Sequence, residues 1–214
     1  MRTETITIYK FDELSDSAKE KAREWWREGF EFDPFFDSFL TAAKLLGIEI
    51  EDRQIAIVQS KTPFNRYKPN IMWSGFWSPG DGASFTGGYT FASGCSEAIR
   101  AEFPQDEKLH AIADELTVMQ SRLRLLESKT LTGKITQRDN HYVHSNTMDA
   151  TAYDAEGEEL EIAVSDELRD IMRRFADWIY ASLEEDYEYE TGDEAVDESI
   201  RANEYEFDED GGIA

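Results

Sequence analysis

The run Trp73-Ser-Gly-Phe-Trp-Ser-Pro-Gly-Asp-Gly-Ala-Ser-Phe-Thr-Gly-Gly88 gathers residue types that suit a ligand loop. Trp73, Phe76 and Trp77 offer stacking surface. Its five glycines let a backbone approach a bound molecule, and Asp81 is the one carboxylate available to orient a polar group. A tight hairpin explains the same residues, with glycines at turn positions and aromatics in a core. That structural reading carries more weight, because Gly, Pro and Asp serve turns far more often than ligands. No Gly-Lys-Ser/Thr follows, and no Gly-x-Gly-x-x-Gly opens a helix, so phosphate and dinucleotide loops are not indicated.

His141 and His144 are the next candidates. On a strand this spacing sends the two rings to opposite faces, which argues against a shared metal even with Asp139 or Asp149 nearby. Cys95, between Gly94 and Ser96, lacks an identifiable activating base and reads as a small buried residue. With 46 Asp and Glu in the chain, choosing two as acid and base discriminates nothing. The balance leans away from an enzyme, and no catalytic residue, metal or cofactor is expected. If the loop does take a small ligand, Trp73 and Trp77 are its walls and Asp81 its anchor, with His141 or His144 beside it.

Charge is the stronger signal. The 214 residues carry 46 acidic against 22 basic side chains, a formal charge of −24. A nucleic-acid binder must neutralise phosphates and an anionic membrane repels acid, so neither is an expected direct partner. Hydrophobic content of 40% is enough to bury a core. Cys95 is the only cysteine, which rules out an intramolecular disulfide. No basic-then-apolar segment occupies Met1–Lys10, and no apolar run approaches about 18 residues, so a cytosolic protein is expected.

The acid concentrates at the C-terminus. Residues 184–214 hold 14 acidic residues and one basic residue, Arg201, so 13 of the 24 net negative charges lie there. Glu184, Glu185, Asp186, Glu188, Glu190, Asp193, Glu194, Asp208, Glu209 and Asp210 are the candidate partner-binding residues. Tyr187, Tyr189, Tyr205 and Phe207 are interleaved among them, unlike a purely solvating tail. Composition gives two readings equal weight: a solvated, solubilising extension, and an ordered array of carboxylates that competes with nucleic acid for a basic groove.

Several elements must position these residues. Thr3–Phe11 alternates as a strand, and Ser15 caps a helix running to Glu28 with Gly29 as terminator. Asp33-Pro34 is expected to open a second helix ending at Gly47, and Ile48–Gln59 reads as a strand. Asn70–Ser78 and Ser84–Ala92 read as strands joined at Pro79-Gly80-Asp81-Gly82. A helical stripe of Leu109, Ile112, Leu116, Met119, Leu123 and Leu126 spans 105–127. Residues 129–138 and 142–154 form an antiparallel pair turning at Asp139-Asn140, with a short strand expected at Glu159–Val164. Ser165 is expected to cap a long helix with Leu168, Ile171, Met172, Phe175, Trp178, Ile179 and Leu183 on its core face. The pattern predicts an α+β fold, mainly an antiparallel sheet with helices on one face. The expected division is a domain over 1–183 and an acidic segment over 184–214, docked on it through its aromatics.

Three blocks resemble, in the same order, a family of small phage and prophage proteins, some of them labelled antitoxins. They are Tyr9-Lys-Phe-Asp-Glu-Leu-Ser-Asp-Ser-Ala-Lys-Glu-Lys-Ala-Arg-Glu-Trp25, Ser74-Gly-Phe-Trp-Ser-Pro-Gly-Asp-Gly-Ala-Ser-Phe85 and His141-Tyr-Val-His-Ser-Asn-Thr-Met148. The resemblance covers about two thirds of the chain, up to the histidine block. Pro79 departs from the pattern. The resemblance supplies no catalytic residue to carry over. It implies an accessory protein of the bacterial cytoplasm, of the kind that inhibits a host defence system, as an anti-CRISPR does, or a toxin. A basic, nucleic-acid-handling host or phage protein is therefore the expected partner.

Overall fold

A computed structural model describes residues 7–56, 65–127, 130–138 and 142–214. In chain order the elements begin β1 (Tyr9–Lys10), α1 (Asp16–Glu28), α2 (Asp37–Leu46), β2 (Ile48–Ile50), β3 (Asp52–Ala56) and β4 (Asn65–Pro69). They continue with β5 (Ile71–Trp73), β6 (Ala83–Phe85), β7 (Gly87–Thr90), α3 (Cys95–Glu102), α4 (Glu107–Glu127) and β8 (Thr132–Gln137). The last are β9 (Met148–Tyr153), α5 (Ile162–Thr191), α6 (Asp193–Ala202) and β10 (Glu206–Phe207). Every strand pairing among the described residues is antiparallel, and the fold is α+β.

Two compact units divide the chain. One is Phe35–Ser182, and the other joins Met1–Pro34 to Leu183–Ala214. The boundary between Ser182 and Leu183 falls inside α5, and the N-terminal 34 residues group with the C-terminal segment.

The central unit is built on a four-stranded sheet in the order β2-β7-β8-β9. The apolar stripe of α5 through Ile179 is buried, as are Leu109, Ile112, Leu116 and Met119 of α4. Phe85 meets Phe175 edge-on at 5.6 Å, and Trp178 meets Phe39 of α2 edge-on at 5.6 Å. Gly133 marks where α5 presses on the sheet, since a Cβ there would stand 2.5 Å from the Leu168 Cδ2.

Several boundaries differ from the sequence expectation. The helix expected from Asp33 starts at Asp37, after the chain has passed from one unit to the other. Phe30 and Phe32 pack on Tyr187 instead, which holds that stretch outside a helix. The strand expected from Ile48 breaks at Glu51, whose carbonyl accepts from the Asn70 amide. Residues 57–59 of that strand, and most of the strand expected at Thr3–Phe11, lie outside the described residues or outside strands. The expected strand Glu159–Val164 is reduced to one bridge between Tyr153 and Glu159. Helix α5 begins at Ile162, so Ser165 does not cap it. Its hydroxyl accepts the Ala152 amide at 2.9 Å and closes the edge of β9. Helix α3 was not anticipated. The turn expected at Asp139-Asn140 lies outside the described residues.

Gly47 ends α2 with φ +85°, donating its amide to Ala43 and Lys44. A Cβ there would stand 2.0 Å from the Thr90 carbonyl oxygen. Gly47→Ala is therefore expected to lower stability by about 2–4 kcal/mol, from left-handed strain plus displaced sheet backbone. Urea unfolding checks this, and a loss below about 1 kcal/mol would contradict the packing described.

In the unit of the two ends, β1 pairs with β10, Tyr9 opposite Phe207. Phe11, Leu14, Ala18, Ala22, Val196, Ile200 and Phe207 form its buried core, flanked by Trp25, Trp26 and Tyr205. Ser15 caps α1 by accepting the Ala18 amide at 3.3 Å. Arg23 donates two bonds to Asp197, at 2.7 and 2.9 Å, and ties α1 to α6.

Candidate functional site

The loop between β5 and β6 uses its special residues on its own chain. One carboxylate oxygen of Asp81 accepts the amides of Trp77 (3.0 Å) and Ser78 (2.7 Å). Trp73 stacks on Phe76 at 5.5 Å, and Phe76 lies 5.6 Å from Tyr180 of α5. The Tyr180 hydroxyl donates to the Gly75 carbonyl at 3.0 Å. Trp77 is 82% exposed.

The loop and the histidine block do come together. A Cβ at Gly82 would stand 2.9 Å from the His144 Cδ2, and one at Gly80 would stand 3.1 Å from Tyr142. The Tyr142 ring lies parallel to His144, with centroids 5.9 Å apart. The glycines thus admit the protein's own rings. His144 Nδ1 accepts the Asn146 amide at 3.0 Å, capping the short 3-10 turn Ser145–Thr147. His141 lies outside the described residues. Cys95 is buried against Thr117 and the Ala113 carbonyl. Among the described residues no three His, Cys, Asp or Glu are grouped to hold a metal. No helix among them is long and apolar enough to cross a membrane.

The acidic candidates stand on folded elements. Glu184, Glu185, Asp186, Glu188 and Glu190 lie in the last turns of α5, and Asp193 and Glu194 open α6. Asp193 pairs with Arg27 and, at 3.6 Å, with Arg23. Asp208 accepts the amides of Asp210 and Gly212, at 3.0 and 2.8 Å, in a turn that leaves Glu209 and Asp210 exposed. Glu185, Asp186, Glu188 and Glu194 are exposed and make no ion pair among the described residues.

This placement works against the helix. The last turn of α5 holds no basic residue, so its carboxylates face the negative end of the helix dipole. Glu184 and Glu188, and Asp186 and Glu190, are like charges four residues apart. Burial, and secondarily Asp186, pushes the Glu190 carboxyl up from its ordinary value. Its charged form therefore opposes folding. The stability tied to its protonation is full below the ordinary glutamate value and is lost as pH rises through the raised one. Glu190→Gln should stabilise the protein at pH 7 by about 0.2–0.5 kcal/mol. That gain should vanish below about pH 4, where the wild-type residue is already neutral. Melting curves at both pH values check it, and a gain that persists in acid would contradict this origin.

Sequence reasoning missed the contribution of the N-terminus. The 66 residues of the two-ended unit carry 23 acidic and 7 basic side chains, a net −16, against −8 for the 148 residues of the other. The available signal was aromatic: Trp25 meets Tyr205 and Phe207 edge-on, at 5.1 and 6.0 Å, and Phe30 meets Tyr187.

These features define an antiparallel α+β chain with an ordered acidic end. Residues 32–193 match the model of a family described as Domain of unknown function (DUF8835), and the chain belongs to that family. The match spans the whole central unit and stops at the start of α6. Neither the curated proteins nor the solved structures searched contain a match.

Proposed function

We propose that this is a non-enzymatic accessory protein of the bacterial cytoplasm that binds a basic, nucleic-acid-handling protein and inhibits it by occupying its nucleic-acid groove. One observation carries the reading: carboxylates that weaken the helix bearing them are held exposed on ordered structure. Electrostatic cost of that kind is relieved when a partner's Lys and Arg approach. The resemblance to phage and prophage proteins supplies the setting, with a host defence protein or a toxin as the target.

A small-ligand role for the Trp73–Gly88 loop has less support. Asp81 and His144, its polar groups, are engaged by backbone amides.

Affinity capture from bacterial lysate at about 50 mM salt tests the proposal, because counterion release makes such contacts salt-sensitive. A basic protein should be retained, and should elute as salt is raised. Retention of none sinks the idea.

A further inference from the structure

A groove of about 460 Å³ opens on the unit formed by the two chain ends. Trp25, Trp26, Phe30 and Tyr205 give it aromatic lining, and Glu28 and Glu31 give it carboxylates. No basic side chain lines it. At Gly29, where α1 ends, an added Cβ would meet nothing nearer than the Trp26 carbonyl at 3.8 Å, so that side stays open.

The walls are fixed by their own contacts. Trp26 stacks on Phe30 at 4.9 Å, and its indole N–H donates to Ser199 at 3.1 Å. Trp25 meets Tyr205 edge-on. Glu28 and Glu31 are exposed and make no ion pair among the described residues.

Such a lining selects for cations. Aromatic faces attract positive charge through their quadrupole, most strongly at indole, and paired carboxylates add hydrogen-bond acceptors. A guanidinium meets both demands: it is planar, stacks on rings and bonds carboxylates bidentately. An ammonium is a compact, strongly hydrated point charge. We propose that this groove takes an arginine side chain of the basic partner. The inference rests on the reading of this unit as the docking site for a basic protein. An open groove holds one side chain weakly, and attachment to a docked partner raises its effective concentration.

The probe is blocked arginine (Nα-acetyl-arginine amide), titrated into the full chain while the tryptophan indole N–H signals are followed by NMR. Blocked citrulline and blocked lysine are the controls. Trp25 and Trp26 signals should shift with arginine, not with neutral citrulline, and about threefold or more less tightly with lysine. The double variant Glu28→Gln, Glu31→Gln should weaken arginine about fivefold or more without changing the melting temperature. An equal response to citrulline or lysine, or an unaltered double variant, overturns the groove.

The two proposals fail separately. Capture of a basic protein with no indole response to arginine overturns the groove alone. An arginine response that needs both glutamates, in a chain that captures no basic protein, overturns the partner and leaves a cation site.

Discussion

Replacing Glu185, Asp186, Glu188 and Glu194 by their amides is expected to weaken capture of the basic partner about 100-fold at low salt. Each removed charge forfeits about 0.7 kcal/mol of attraction, and four together forfeit about 2.8 kcal/mol, which is the 100-fold factor. These residues are exposed and unpaired among the described residues, so the fold does not depend on them. Three sit in the closing turns of α5, where a neutral side chain suits the helix dipole better. The variant should therefore melt no lower than the parent while binding far less. The slope of affinity against salt should also flatten, since fewer ions are released on contact. Unchanged binding in a folded variant would remove this surface from the account.

Arg23→Ala is expected to destabilise the two-ended unit by about 3 kcal/mol. Arg23 and Asp197 are only 17% and 15% exposed at the side chain, and the pair is bidentate. Bonding to Asp197, opposed by burial, holds Arg23 charged well above its usual range. Truncation leaves Asp197 without its bidentate partner, with only Arg201 nearby, at 3.8 Å, among the described residues. It also removes a guanidinium that lies 5.8 Å from the Phe11 ring. Urea unfolding followed by tryptophan fluorescence reads the loss directly, since Trp25 and Trp26 flank this core. Arg23→Lys should recover part of it, because charge returns without the fork. A loss under about 1 kcal/mol would mean that α1 and α6 are held by their apolar faces alone.

How much of this was legible depended on whether the determining contacts were local. The α5 stripe, the α4 stripe over Leu109–Met119 and the Ser15 cap are written within a few residues, and they stand as read. Ser165 was misread because an N-cap serine and a serine bonding an edge strand look alike in sequence. Only the fold brings it to the Ala152 amide. Helix α3 has eight residues and begins at Cys95 behind a left-handed Gly94, too short for a periodic signal. The grouping of the chain ends rests on a two-residue strand pair and on aromatic contacts between residues far apart in sequence. Periodicity does not encode such contacts. The candidate site was half legible: the acidic residues could be named, but not the α1 arginines that neutralise some and leave others exposed.

The central claim is competition with nucleic acid, and displacement tests it most directly. The captured basic protein is loaded with a fluorescent duplex, and the full chain is titrated in while anisotropy is followed. The account predicts that the duplex is released as the chain binds, and that the four-fold amide variant releases it only at about 100-fold higher concentration. A ternary complex, with the chain bound and the duplex still held, would contradict the account.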